Sequence, residues 1–340
     1  MSPTRERGDT ILSVEDLSIA FDTGRAPIRA VDGVNLDVRT GDIYAIVGES
    51  GCGKSTLAYS FLDIVPPPGK IVSGQVRLAG RTLSGMDSNE LNRVRAAEVA
   101  MVFQAAMNAF NPVITIGQQV EHIIAAHRSA FSSPEAGKQH FEELLRMVRL
   151  PAEKVWRSYE SQLSGGMKQR VAIAVSLLVN PKVVVLDEPT TALDVLNQRL
   201  VIDILKDLHD RLDVTIVFVT HDLAVVAELA TRVAVMYAGR LVDQGSVREI
   251  FSGAHRHPYV SALIDAIPSV AGDQLLVRPI PGQVPNLAEL PGGCRFAPRC
   301  ALVQPFCREH EPELIGDPER HQVACHVVND QIPSGEGVPS

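Results

Sequence analysis

The sequence predicts an α/β protein: a P-loop core of buried strands, with an antiparallel β subdomain, a helical insertion and a small cysteine-containing C-terminal extension. Three observations predict it. Residues 43–47 are continuously apolar and run straight into the glycine-rich stretch GESGCGKS, the pattern of a strand buried on both faces. Residues 183–186 and 214–219 repeat that character, and the helical spacing of 200–212 between them reads as a crossover helix. From 105 to about 180 strand signals vanish and helical spacing takes over, for instance at Phe141, Leu144, Leu145 and Val148.

The other elements follow in order. Residues 11–21 and 34–38 alternate apolar and polar positions, as half-buried antiparallel strands do. A helix is expected from Lys54 to about Asp63, stopped by Pro66, Pro67 and Pro68. Short strands fit 75–78, 99–103 and 233–237. Beyond His255 the chain is rich in proline, glycine and cysteine, which marks a separate small module, and 331–340 read as a disordered tail. The expected division is thus 1–255, with its helical part at 105–180, then 256–330, then the tail.

Composition bounds the function. With 45% hydrophobic and 21% charged residues, the 340-residue chain is globular and long enough for two domains. A net charge of −8 gives no support for a nucleic-acid partner, which would more often select a basic excess. The longest apolar stretch, 171–186, is broken by Asn180, Pro181 and Lys182, and the N-terminus lacks an apolar signal core. The expectation is a protein without its own membrane span.

The spacing of Gly48, Gly53, Lys54 and Ser55 is that of a P-loop. Gly48, Gly51 and Gly53 let the backbone wrap so that its amides point at phosphates, with Ser50, Cys52 and Thr56 completing the nucleotide-binding stretch. Lys54 supplies a point charge and Ser55 an oxygen for Mg²⁺. Cys52 is open to two readings, a reactive thiol or a small space-filling residue. Asp187 ends an apolar strand where it can hold the Mg²⁺ shell, and Glu188 can polarise an attacking water. Two such carboxylates also suit a solvated turn, but the PTTALD continuation favours the site. At LSGGMKQR, Ser164 is placed to cap a helix whose first turn holds Gly165 and Gly166. That start is a second anion site, most simply filled by a second chain's nucleotide.

Together, GESGCGKS, LSGGMKQR, VVVLDEPTTALD and VFVTHD, in that order and with a helical insertion between the first two, resemble the nucleotide-binding domain of ABC transporters over about 11–250. The resemblance implies a RecA-like core. It also implies a head-to-tail dimer that closes over two ATP molecules, each held between one chain's P-loop and the other chain's Ser164, Gly165, Gly166 and Gln169. By the same resemblance Gln104 joins Ser55 and Asp187 at Mg²⁺, His221 is the switch histidine near the γ-phosphate, and Asp194 lies in the loop across the dimer seam. Taken alone, Gln104 reads as a strand-end amide and His221 as a capping or core residue. Phe21 is the candidate for adenine stacking, with Arg25 a substitute, and Phe21 also fits a core strand position.

Three C-terminal stretches, His257-Pro258-Tyr259, IPGQVPNL and GCRFAPRC, resemble the extension of the peptide and nickel importer ATPases. LSGGMKQR is closer to the dipeptide or oligopeptide "D" subunit. This implies an ATPase powering import of di- or oligopeptides at the cytoplasmic face of the membrane. The implied partners are a homologous "F"-type ATPase, two transmembrane permease subunits and an extracytoplasmic substrate-binding protein. Nickel or sugar import by the same machine is the alternative; from another class, a soluble ABC ATPase uncoupled from transport is disfavoured because neither a long coiled-coil insertion nor a second cassette is present. Ala105-Ala106 depart from the commonest subunits, which put an acidic residue and a proline there.

Cys294, Cys300, Cys307 and Cys325 crowd the last fifth of the chain, with His310, His321 and His326 nearby, and point to a metal before a disulfide. Zinc would more often show close Cys-x-x-Cys knuckles, whereas a [4Fe–4S] cluster tolerates the wider spacing and is favoured by the resemblance. Small buried cysteines packing a proline-rich module are the other reading.

Overall fold

The structure is a computed structural model and describes residues 8–330, apart from 25, 105–108, 192, 254, 268, 272–273 and 277–278. Strands β1 (Thr10–Phe21), β2 (Ile28–Arg39) and β3 (Ile43–Val47) lead into helix α1 (Lys54–Ser60). Next come β4 (Gly69–Leu78), β5 (Arg81–Thr82), α2 (Ser88–Val94) and β6 (Val99–Val102). Four helices then run without an intervening strand among the described residues: α3 (Ile116–Ala126), α4 (Pro134–Met147), α5 (Ala152–Arg157) and α6 (Gly165–Leu177). The core resumes with β7 (Val183–Asp187), α7 (Val195–Leu212), β8 (Thr215–Thr220), α8 (Leu223–Leu229), β9 (Arg232–Tyr237), β10 (Arg240–Ser246) and α9 (Val247–Ser252). The C-terminal segment adds α10 (Pro258–Asp265), β11 (Ser269–Ala271), β12 (Gln274–Leu276), α11 (Pro305–Glu309), β13 (Ile315–Asp317) and β14 (His321–Val323).

The main sheet has the order β13-β14-β10-β9-β3-β8-β7-β6, with β9, β3, β8, β7 and β6 parallel. Its central strands are buried on both faces because every side chain meets a core. Ile43, Ala45 and Val47 of β3, with Val184 and Leu186 of β7, face the helices; Tyr44, Ile46, Val183 and Val185 face a second, antiparallel sheet of order β2-β1-β4-β5. Such two-faced burial is what continuous apolar runs encode.

Capping explains where the helices start. Thr115 and Gln118 form a reciprocal capping box on α3, and Ser133 caps α4 ahead of Pro134. Within the helical region, Phe141 of α4 meets Trp156 of α5 at a ring separation of 6.2 Å, and a side chain at Gly117 would collide with the same indole. Among the described residues, no helix is long and apolar enough to cross a membrane.

Several boundaries differ from expectation. Strand β2 begins at Ile28, six residues before the expected 34, and β4 begins at Gly69 instead of 75. The alternation in β2 is interrupted at Asp32-Gly33, where Asp32 pairs with Arg29, Arg240 and Arg295, so the pattern was masked by ion pairing. Helix α1 stops at Ser60, earlier than expected, and α7 starts at Val195, one residue after its cap Asp194. Residues 105–106, 25 and 331–340 lie outside the described residues.

The C-terminal segment, expected as a separate module, shares the main sheet. Strand β14 pairs with β10 through Asp243↔Val323, and Arg232 of β9 donates to the Glu319 and Pro318 carbonyls at 2.7 and 3.0 Å. Buried Asp243 accepts the His257 N–H at 2.8 Å and lies 2.7 Å from His321 Nε2. The hydrogen bond to Asp243 raises the His321 pKa above its ordinary 6.5. The stability it contributes is therefore fully present below that value and is lost as pH rises through the higher folded value. Thermal unfolding between about pH 6 and 9 will show wild type losing stability relative to His321→Gln as pH rises. Parallel profiles for the two proteins would remove this pair from the pH response.

Candidate active site

The end of β3 turns into loop 48–53 only because three glycines take conformations closed to other residues. Their φ values are 153° at Gly48, 80° at Gly51 and 105° at Gly53. A Cβ at Gly48 would overlap the Met236 carbonyl oxygen, and one at Gly53 the Ala30 carbonyl oxygen, whereas Gly51 faces open space. The loop thus rests its back on β9 and β2. Lys54, 5% exposed, folds back into it, donating to the Gly48 and Glu49 carbonyls at 2.8 and 2.9 Å. Cys52 is fully buried under the loop and burial raises its thiol pKa, so of its two readings the packing role fits. Ser50 is exposed, and Thr56 is half-buried on α1.

Opposite the loop, the parallel order β3-β8-β7 brings the end of β7 alongside α1. The Ser55 hydroxyl donates to Asp187 Oδ1 at 3.0 Å. Burial pushes the Asp187 carboxyl above its usual range, while the Ser55 hydroxyl and the nearby Tyr59 and Lys54 side chains oppose the shift. Among the described residues, Asp187 Oδ2 is buried with no hydrogen-bond partner. An oxygen left so costs about 1–3 kcal/mol or more, and a hard cation with its water shell would satisfy it. The adjoining oxygens of Ser55 and Asp187 are hard donors of the kind Mg²⁺ takes.

Glu188 follows in the left-handed region, φ 50°, with its N–H bonded to the Val219 carbonyl at 2.9 Å. This places a strained residue at the strand end. Three side chains from three loops converge on its carboxylate: Gln104 Nε2 at 2.8 Å, Thr191 Oγ1 at 2.9 Å and His221 Nδ1 at 3.3 Å. Thr191, within PTTALD and three residues past Glu188, is a contact that the sequence motifs do not single out.

The expected second anion site is the N-terminus of α6. Ser164 accepts the Met167 N–H at 3.3 Å, and Gly165 and Gly166 make the first turn. A Cβ at Gly166 would lie 2.7 Å from Asn197 Oδ1, and Asn197 donates to Asp194 at 2.6 Å. Gly166 therefore lets the helix start pack close to Asn197, whose amide a side chain there would displace. Gln169 is buried on α6, one turn in, while Ser164 and Asp194 are exposed. Phe21 ends β1 with its ring against Gly69 and is only partly buried.

The expected metal site in the C-terminal segment is not found. Among the described residues no group of three or more His, Cys, Asp or Glu side chains is arranged to hold a metal ion. Cys294 and Cys300 flank one short 3₁₀ turn, Cys307 is on α11 and Cys325 follows β14. Burial pushes the Cys294 thiol up to about 12, with Cys325 and Cys300 as minor contributors, and raises those of Cys300 and Cys325. Neither the [4Fe–4S] expectation nor its zinc alternative is supported among the described residues.

A phosphate-shaped glycine loop, a carboxylate pair at the next strand but one, and a capped glycine helix start define an ATP-binding cassette. The ABC transporter family model matches residues 31–191, and that of the oligopeptide/dipeptide transporter C-terminal region matches 242–307. The chain is 45% identical to the dipeptide transport ATP-binding protein DppD of Caldanaerobacter subterraneus over 95% of this chain and 98% of that protein. It is 39% identical to DppD of Escherichia coli, over 94% and 97% respectively. It belongs to the ABC transporter ATP-binding family. Among solved structures, the post-hydrolysis dimer of the cassette MJ0796 bound to ADP and Pi matches with a TM-score of 0.61 and 31% identity, covering 70% of this chain and 99% of that one. CbiO1 of Clostridium perfringens matches with a TM-score of 0.62 and 29% identity, covering 72% and 91%.

Gly53→Ala tests the cradle. Its forbidden φ and the overlap with the Ala30 carbonyl lower the unfolding free energy by more than about 2 kcal/mol in chemical denaturation. Wild-type stability would contradict the close packing of loop on strand.

Proposed function

We propose that this chain hydrolyses ATP to power the import of di- or oligopeptides. One observation carries the catalytic reading: Glu188 is held by Gln104, Thr191 and His221 beside the Ser55–Asp187 contact. In this reading, Glu188 accepts the proton of the attacking water and His221 orients against the γ-phosphate. The 48–55 loop and Lys54 bind the β- and γ-phosphates, and Phe21 stacks on adenine. Ser55, Gln104 and Asp187 hold Mg²⁺, which when bound neutralises phosphate charge. Ser164, Gly165, Gly166 and Gln169 bind the nucleotide of a facing cassette, with Asp194 at the seam.

The names of the relatives and the match to the peptide-transporter C-terminal region support peptides over nickel or sugars as cargo. They also support docking on two permease subunits at the cytoplasmic face. A homologous "F"-type ATPase as the facing cassette and an extracytoplasmic peptide-binding protein complete the proposed assembly.

Removing the base while keeping its shape tests the assignment. Glu188→Gln lowers the rate of phosphate release by two to four orders of magnitude, the usual share of a general base, while ATP still binds. Unchanged turnover would remove Glu188 from that role.

A further inference from the structure

The C-terminal segment reaches the nucleotide loop itself. Arg299, its side chain 3% exposed, forks onto Glu49 with NH1–Oε2 at 2.6 Å and NH2–Oε1 at 3.0 Å. Its remaining donors go to the Pro281 carbonyl at 2.8 Å and the Tyr237 hydroxyl at 3.3 Å. Tyr259 accepts the Glu49 N–H at 2.9 Å through its hydroxyl. Tyr259 and Phe296 pack on Tyr237 at ring separations of 4.6 and 5.2 Å, so the two anchors stand on a rigid aromatic cluster.

Glu49 is the second residue of the loop, and its polar groups divide between two tasks. Its N–H and carboxylate are held by the C-terminal segment, whereas its carbonyl oxygen accepts Lys54 Nζ at 2.9 Å and the Cys52 N–H at 3.3 Å. Holding Glu49 on both sides therefore helps fix the Gly48 and Glu49 carbonyls that place the Lys54 ammonium. Gly48 and Gly51 flank Glu49 and leave the backbone free to take many shapes, so a grip from outside removes freedom that phosphate binding would otherwise have to remove.

We propose that Arg299 and Tyr259 are positioning residues for ATP: from the C-terminal segment they fix Glu49, and through it the shape of the 48–55 loop. The inference rests on the ATP reading of that loop. It gives the segment a part in nucleotide affinity, 250 residues away in sequence from the loop it holds.

Binding of a fluorescent N-methylanthraniloyl ATP to the full-length chain, with thermal unfolding alongside, provides the test. Arg299→Lys keeps the charge and loses the fork; Tyr259→Phe loses one oxygen and keeps the ring, and it decides the matter if Arg299→Lys does not fold. Each raises Kd about tenfold at temperatures where the protein is folded. Glu49→Gln does the same, and adding Arg299→Lys to it brings no further loss, because both act through one contact. In the assembled transporter KM for ATP rises by the same factor while kcat changes less than about twofold. Wild-type Kd in both variants, with or without a lower melting temperature, overturns the positioning role, provided Lys54→Ala abolishes binding. Binding by Lys54→Ala equal to wild type overturns the ATP reading of the loop, and this inference with it.

Discussion

The contact on which the rest of the structure depends is the 3.0 Å hydrogen bond from Ser55 to Asp187, which joins the start of α1 to the end of β7. It exists because β3 and β7 both pair with β8, and their ends are level: Val47 stands opposite Thr220 and Asp187 opposite Val219. A one-residue slip in either ladder would turn apolar side chains from one core to the other, so the two cores enforce the register. Glu188 then falls one residue beyond the strand, where Gln104, Thr191 and His221 can reach it. Chemistry at this site is thus a consequence of sheet register, and the loops add the reaching groups.

The same logic extends outward from the P-loop. Its glycines pack against carbonyls of β2 and β9, and the C-terminal segment grips those same elements. Arg295 donates to the Ala238 carbonyl at 2.6 Å and pairs with Asp32, while Arg299 holds Glu49. Buried arginine forks cost desolvation and are retained where geometry matters more than raw stability. A segment joined through β14 to the sheet edge is thereby connected to the nucleotide loop by rigid parts.

Much of this was legible in the sequence where one local rule decides the outcome. Continuous apolar runs gave β3, β7 and β8, and Ser164 ahead of two glycines gave the capped start of α6. What was not legible depended on distant partners. Ion pairs of Asp32 interrupted the pattern of β2, and the three residues of β14 are too few to show a period. Arg299 and Tyr259 lay inside stretches already singled out, yet their partner Glu49 is identified only by the fold. The cysteines differ for a related reason: their spacing allows a cluster, but among the described residues no metal-holding arrangement of their thiols is found.

We propose that this chain carries two anion sites, one for its own ATP and one for that of a facing cassette. Hydrogen exchange on the assembled transporter carrying Glu188→Gln, with and without MgATP, tests it most directly. ATP-driven closure predicts slowed exchange both in loop 48–55 and at the amides of Gly165, Gly166 and Met167. Protection confined to the loop, with the start of α6 exchanging as fast as without nucleotide, would contradict it.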